Sequence, residues 1–302
     1  MQGMPLESKI IKTQLRIREW YERFDGEVYM SFSGGLDSTV LLDIVRKMYP
    51  DTPAIFADTG LEYPEIRDFV KNFKNIEWLK PKKTFNRVIE EHGYPVVSKK
   101  VARFLKDLQN ISDKNINTRN LRLTGLNQKG VFCPSQKLPK KWLYLIDAPF
   151  KISDYCCDVM KKEPFKRYVK QTGRMPMSGV MAAESDLREK EYLKHGGCNM
   201  FQLKNPMSMP LGFWTRQDAL KYIKEFNIPY CSVYGDIIET EKGLDTTMEK
   251  RTGCIFCMFG VHMEKGENRF QRMKTTHPKL YNYCMDKLNL KEVLSYIGVD
   301  YK

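Results

Sequence analysis

The chain predicts an α/β fold: a doubly wound, mainly parallel sheet with a small cysteine-containing helical C-terminal region. Three observations carry that expectation. Short apolar runs at Val28–Phe32, Pro53–Ala57 and Ile76–Leu79 have the length of buried strands. Helix-like stretches separate them, and crossovers of that length favour parallel pairing. A glycine turn, Ser33-Gly34-Gly35-Leu36-Asp37-Ser38, stands between the first strand and the helix that follows it.

Taken in order, residues 5–24 set Ile10, Ile11, Leu15, Ile17 and Trp20 at near-helical spacing, an amphipathic helix ahead of the first strand. Thr39 to about Tyr49 reads as a helix with Asp37 or Ser38 near its cap. Residues 64–73 read as the next helix. Residues 81–150 are less regular and basic, with Lys82, Lys83, Lys99, Lys100, Arg103 and Lys106 followed by a polar stretch to Lys141. Such a segment is either a solvated insertion or a binding surface. Residues 155–169 read as a helix broken only at Pro164, and 177–180 as a strand. Thr215 is a plausible N-cap for a helix through Phe226. The expected division is a nucleotide-binding domain over 1–240 and a C-terminal region, 241–302, that completes a cysteine site.

Composition narrows the partners. Of 302 residues, 42% are hydrophobic and 29% charged, enough for a substantial core. No apolar run approaches about 20 residues, and the first 26 residues lack the apolar stretch of a signal peptide. The expectation is a cytoplasmic protein with no membrane partner. Fifty basic residues against 37 acidic give a net charge of +13, which suits a nucleotide or a nucleic acid. Eight cysteines in such a chain point to metal or redox chemistry.

The glycine turn has the chemistry of an anion site. Ser31 and Phe32 lead into it, Gly34 and Gly35 allow close backbone approach, and the helix start contributes free amides and positive potential. Ser33 and Ser38 add hydroxyl donors. Asp37 by itself would repel phosphate, so it is read as orienting the loop or helping to hold Mg²⁺. The turn is neither a Walker A loop nor a G-x-G-x-x-G dinucleotide turn. Its S-G-G-x-D-S pattern resembles the PP-loop of the ATP pyrophosphatases, which holds the pyrophosphate of ATP while an acceptor is adenylated.

Cys156-Cys157 and Cys254-x-x-Cys257 are the second signal. Four thiolates can bind zinc or an iron–sulfur cluster. An adjacent pair suits two irons of a cubane better than one tetrahedral ion. A redox C-x-x-C and unrelated cysteines are the remaining readings.

In sequence order these features resemble the phosphoadenosine phosphosulfate (PAPS) reductase family of PP-loop, adenine nucleotide alpha hydrolase-like enzymes, from about Tyr29 to Met258. The anchors are the glycine turn, Asp58-Thr59-Gly60-Leu61-Glu62, Cys156-Cys157 with Lys161 and Pro164, and Gly179 with Glu184-Ser185 and Arg188. Trp214 with Asp218, Ile228-Pro229-Tyr230 and Gly253-Cys254-x-x-Cys257 complete the set. The resemblance implies a [4Fe–4S] cluster on the four cysteines. It also implies an adenine nucleotide beside Asp58, Thr59, Gly60, Gly179 and Glu184. Lys161 would then lie near the cluster and the nucleotide's anionic end, and Lys161 or Arg188 would stabilise charge on the α-phosphate.

Three departures bear on the reaction. The reductases' Glu-Cys-Gly-x-His tail is missing, Cys284 being the only cysteine after Cys257. Met181 and Ala182 stand where the reductases carry basic residues. The glycine loop is intact, whereas the reductases tend to degrade it. The expectation is therefore an enzyme that binds ATP and Mg²⁺, adenylates an acceptor and passes sulfur to it from a donor or reductant protein. A nucleic acid, DNA or tRNA, is the favoured acceptor. The alternatives are an adenylyl-sulfate or PAPS reductase that makes sulfite, and a non-catalytic nucleic-acid-binding module.

Overall fold

The computed structural model describes residues 2–302. In chain order its strands are β1 (Val28–Ser31), β2 (Ala54–Ala57), β3 (Ile76–Leu79), β4 (Val96–Val97), β5 (Met175–Ser178), β6 (Asn199–Met200), β7 (Met207–Ser208), β8 (Ile237–Thr240), β9 (Gly243–Thr246) and β10 (Met258–Phe259). The chain divides into two compact units. One holds the residues up to Pro81 with Glu163–Gly253; the other holds Lys82–Lys162 with Cys254–Lys302. The basic stretch read above as an insertion thus lies in the same unit as the C-terminal tail.

The first unit is built on a six-stranded sheet in the order β3-β2-β1-β5-β7-β6, parallel except where β6 meets β7. Val28, Tyr29 and Met30 are all buried, as a central parallel strand covered on both faces requires. The helix Glu163–Thr172 lays Phe165, Tyr168 and Val169 on Tyr29, Ile55 and Leu79. Elsewhere α1 (Leu6–Arg23) and the helix Arg216–Glu225 pack on α2 (Leu36–Met48). The mainly parallel doubly wound expectation is therefore met. Strand order reverses at β1, since β2 and β3 lie to one side and β5 to the other. Ligands of such sheets bind at the carboxyl edge of that reversal.

Several local expectations need correction. The cap of α2 is Gly35, not Asp37 or Ser38. Ser38 turns its hydroxyl back to the Gly35 carbonyl (2.9 Å), already inside the first helical turn. The expected helix over 155–169 is two pieces: Tyr155–Cys157 runs into a wide turn, Asp158–Lys162, before Glu163–Thr172 begins. Pro164 has no amide to give to the Met160 carbonyl, and the wide turn absorbs that gap. The strand expected at 177–180 lies two residues earlier, paired residue for residue with β1 from Val28↔Met175 to Ser31↔Ser178.

The second unit is more regular than its sequence suggested. It carries α3's successors along the chain: after α3 (Pro64–Lys71) of the first unit come α4 (Phe85–His92), α5 (Lys99–Gln109) and α6 (Ile116–Thr124). Thr84 caps α4 by accepting from the Arg87 amide, and Ser98 caps α5 by accepting from that of Val101. The pairing of β4 with β10 ties this helical segment to the tail, which is helical from Arg269 onward.

Gly34 is the point where backbone conformation decides the turn. Its φ of +71° lies in the left-handed region, and a Cβ there would come within 3.0 Å of Ile66 and Val70. Gly34→Ala should lower unfolding free energy by about 1–2 kcal/mol from the left-handed conformation alone, measured by urea denaturation.

Candidate nucleotide and thiol sites

Within the first unit, three loops leave the carboxyl edge of neighbouring parallel strands: the glycine turn after β1, Asp58–Glu62 after β2, and Gly179–Glu184 after β5. The turn is braced internally. Ser38 Oγ takes a hydrogen bond from the Ser33 amide (3.2 Å) and lies 3.1 Å from Ser33 Oγ. Ser33 Oγ also accepts from the Gly35 amide (3.3 Å). Gly35 O receives the Thr39 amide and both the Ser38 and Thr39 hydroxyls. No backbone carbonyl accepts from the amides of Gly34, Asp37 or Ser38 among the described residues. Those donors and the exposed Ser33 hydroxyl form a cradle for an anion at a helix start.

Two residues missed by sequence reasoning sit on that cradle. Tyr234 is buried, its hydroxyl 2.7 Å from Thr252 Oγ1 and hydrogen-bonded by the Leu36 amide. A Cβ added to Gly35 would stand 3.3 Å from Ser33 Oγ and Tyr234 Oη, and 3.4 Å from Thr252 Oγ1. Gly179 explains its own place: a Cβ there would meet the Asp37 carbonyl oxygen at 3.0 Å.

Asp37 faces a mixed set of charges. Burial first and Glu184 second push its carboxyl up to about 6, against the opposing charges of Arg216, Arg251 and Arg188. Arg188 pairs with Glu184, whose Oε1 also accepts from the Met181 amide (3.2 Å), while Arg251 stands 3.9 Å from Glu184. Arg216 is anchored to the Lys250 carbonyl (2.6 Å) and Thr246 Oγ1 (2.9 Å). Arg216 and Arg251 were also missed. Both belong to segments remote in sequence from the loop, and no local pattern marks them.

In the Asp58–Glu62 loop, Glu62 accepts from the Thr59 amide (3.0 Å) and hydroxyl (2.6 Å) and from the Leu61 amide (3.2 Å). Asp58 is 8% exposed; one carboxylate oxygen takes Arg67 at 3.0 Å, and the other is buried with no partner. Gly60 is exposed at the loop's tip. An orphaned buried acceptor beside a phosphate cradle suits a ribose hydroxyl or an adenine amine.

All four cysteines of the two pairs lie in the second unit. Cys156 is pushed up by its hydrogen bond with Cys157, by burial and by the charges of Cys157, Cys257 and Cys254. Cys157 is the more acidic of its pair, because Cys156 bonds to it and Lys99 and Lys161 lie close. Cys257 is pushed up to about 11, first by burial and then by Cys254. The Cys257 amide closes a turn on the Cys254 carbonyl (3.0 Å), and β10 then pairs with β4. Among the described residues no three His, Cys, Asp or Glu side chains converge to metal-holding distance, and there is no disulfide. What the thiols offer is a soft donor set under mutual repulsion, with two lysines favouring thiolate. That chemistry fits an iron–sulfur cluster or another thiophilic metal.

Cys284 and His262 both lie in partly or fully buried settings in the second unit. Cys284 is fully buried, gives its thiol to the Tyr281 carbonyl (3.2 Å) and is pushed up to about 12 by burial. His262 sits edge-on to Trp142 at 5.2 Å, its pKa lowered by burial.

A mainly parallel sheet with unclaimed loop amides at its strand reversal is the architecture of the doubly wound α/β class. The phosphoadenosine phosphosulfate reductase domain matches residues 27–114 and 134–257, and the chain belongs to that family. It is 33% identical over 222 residues to the adenosine 5′-phosphosulfate reductase of Geobacillus kaustophilus, covering 72% of each chain. It is 27% identical over 280 residues to an uncharacterized protein of Methanocaldococcus jannaschii, covering 90% of this chain and 51% of that one. The chain spans about half the length of that relative, and 42% of a second from the same organism. The crystal structure of the phosphoadenylyl-sulfate reductase from Candida auris gives a TM-score of 0.42 at 17% identity, over 73% of this chain and 82% of that one. No helix among the described residues is long and apolar enough to cross a membrane.

The raised Asp37 carboxyl has a pH signature. Its folded value lies above the ordinary 3.8, so its contribution to stability is complete below 3.8 and is lost as pH rises through about 6. Asp37→Asn should flatten the unfolding free energy across that window in urea titrations of the unliganded protein. An unchanged slope would remove burial as the cause.

Proposed function

We propose that the chain is an ATP-using member of its family that adenylates an acceptor and supports sulfur transfer to it, with a nucleic acid as the favoured acceptor. The observation that carries this reading is the intact glycine loop: unclaimed amides, the exposed Ser33 hydroxyl and a helix start provide for a pyrophosphate, which a sulfonucleotide does not contain. Arg188, Arg216 and Arg251 supply positive charge on the same loop's acidic residue. The buried Cys284 supports the reading from the other side, since a thiosulfonate-forming reductase needs an accessible nucleophilic thiol.

In this mechanism the loop amides with Ser33 hold the β- and γ-phosphates, Ser38 braces the loop through its bonds to Gly35 and Ser33, and Asp37, once ionised, helps to bind Mg²⁺. The acceptor's nucleophile attacks the α-phosphorus, and the bond to the bridging oxygen breaks as pyrophosphate leaves. Catalysis rests on positioning and on charge placed where it develops. The Asp58 carboxylate takes a hydrogen bond from the nucleoside, with Thr59, Gly60, Gly179 and Glu184 lining its place. Cys156, Cys157, Cys254 and Cys257 would hold a [4Fe–4S] cluster, with zinc the lesser choice; the cluster supplies electron or sulfide chemistry when bound. Lys99 and Lys161 keep Cys157 as thiolate.

Gly35→Ala should weaken ATP binding by about tenfold or more and abolish ATP–pyrophosphate exchange, with the fold retained, because its Cβ crowds the cradle rather than the core. Unchanged ATP affinity would overturn the loop assignment. Sulfite formation from adenylyl sulfate and thioredoxin that depends on Cys284 would favour the reductase instead. Anaerobic purification should yield about four irons per chain and a brown chromophore, lost on Cys157→Ser or Cys254→Ser; zinc without a chromophore would refute the cluster.

A further inference from the structure

The match to the family domain passes over residues 115–133. In the second unit that segment forms α6 and a hairpin. Its order comes from polar bonds more than from apolar burial. The Arg122 guanidinium lies 4.0 Å from the Phe104 ring and bonds Asp107 at 3.0 Å, fastening α6 to α5. Asn127 Oδ1 accepts from the Lys129 and Val131 amides (3.0 and 2.9 Å), and Leu126 bridges to Phe132 across the turn. Gly125, at φ +83°, lets the Phe132 ring lie over it; a Cβ there would meet the ring at 2.7 Å.

What this built segment shows to solvent is unusual. No residue of α6 is buried, and Ile116, Leu126, Val131 and Phe132 are 46–58% exposed. From 111 to 141 there are seven basic residues against the single acid Asp113. Among the described residues no carboxylate pairs with Lys114, Lys129, Lys137 or Lys140, whereas Arg103 and Lys106 nearby share Asp154.

We infer that residues 111–141 form a docking surface for a single-stranded nucleic acid. Unpaired lysines take the phosphates, and Phe132 with its apolar neighbours takes the bases, the combination that single-strand binders use. An acidic protein fits less well, because lysine is depleted from protein interfaces and the apolar side chains here are interrupted by Asn117, Asn120 and Asn127. A membrane surface fits less well too, since α6 is short and lacks a continuous apolar face. The inference deepens the proposed reading by giving a nucleic-acid acceptor a place to dock, and its support is the segment itself.

The test is fluorescence anisotropy of the full chain with labelled oligonucleotides of about 20 nucleotides, as single-stranded RNA, single-stranded DNA and duplex DNA. The single strands should bind best, and more tightly as salt falls. Lys114→Gln/Lys129→Gln/Lys140→Gln should weaken binding about tenfold or more and reduce the log–log salt slope by about 2. Phe132→Ala should weaken binding about tenfold with the slope unchanged. Circular dichroism and ATP binding, measured on the same preparations, should match the unaltered protein. Absent binding at low salt, preference for duplex, equal competition by polyglutamate or anionic vesicles, or variants that bind normally would each overturn the surface. ATP–pyrophosphate exchange that persists without oligonucleotide binding removes this inference alone; oligonucleotide binding without any ATP binding removes the adenylation reading alone.

Discussion

The candidate nucleotide site depends on one close approach. The end of β5 passes the first turn of α2 with no side chain between them, Gly179 standing against the Asp37 carbonyl. That contact sets the helix start beside the sheet's carboxyl edge, and the β1–β5 register holds it there over four residue pairs. With the helix start fixed, Gly34 must turn through the left-handed region, and the amides that follow point into space. Phosphate affinity at such a place follows from geometry more than from any one side chain.

A cost accompanies this arrangement. Asp37 is drawn into a poorly hydrated position beside Glu184, two acids that would repel one another and an incoming phosphate. Three arginines offset them, and all three come from segments more than a hundred residues from the loop along the chain. The charge balance of the loop is therefore a tertiary property. The thiol site shows a similar logic with opposite sign: Cys156 bonds to Cys157, Lys99 and Lys161 add their positive charge, and Cys157 becomes the acidic member of its pair.

Much of this was legible beforehand where the signal was local. The three early strands, the glycine turn and the Thr215 cap each have a pattern that completes within a few residues, and each appears as expected; Thr215 accepts from the Asp218 amide in a capping box. Trp214 and Asp218, which served only as family anchors, turn out to bind the first helix: Trp214 Nε1 donates to Thr13 Oγ1 at 2.8 Å, and Asp218 pairs with buried Lys9 at 2.6 Å. Nothing near Lys9 marks it as buried. The region around 81–150 read as irregular because its apolar residues are sparse, yet serine and threonine caps and arginine pairs give it three helices.

By itself, then, the sequence determined the fold class, the glycine turn and the family, because alternation, glycine placement and motif order act over short spans or as an ordered string. Tertiary structure decided what surrounds the loop. Tyr234, Thr252, Arg216 and Arg251 reach it from distant segments. So did the grouping of the basic stretch with the cysteine tail, which rests on the pairing of β4 with β10. Contacts between residues far apart in the chain leave no periodic trace, since each pays its closure entropy only once the sheet has brought the segments together.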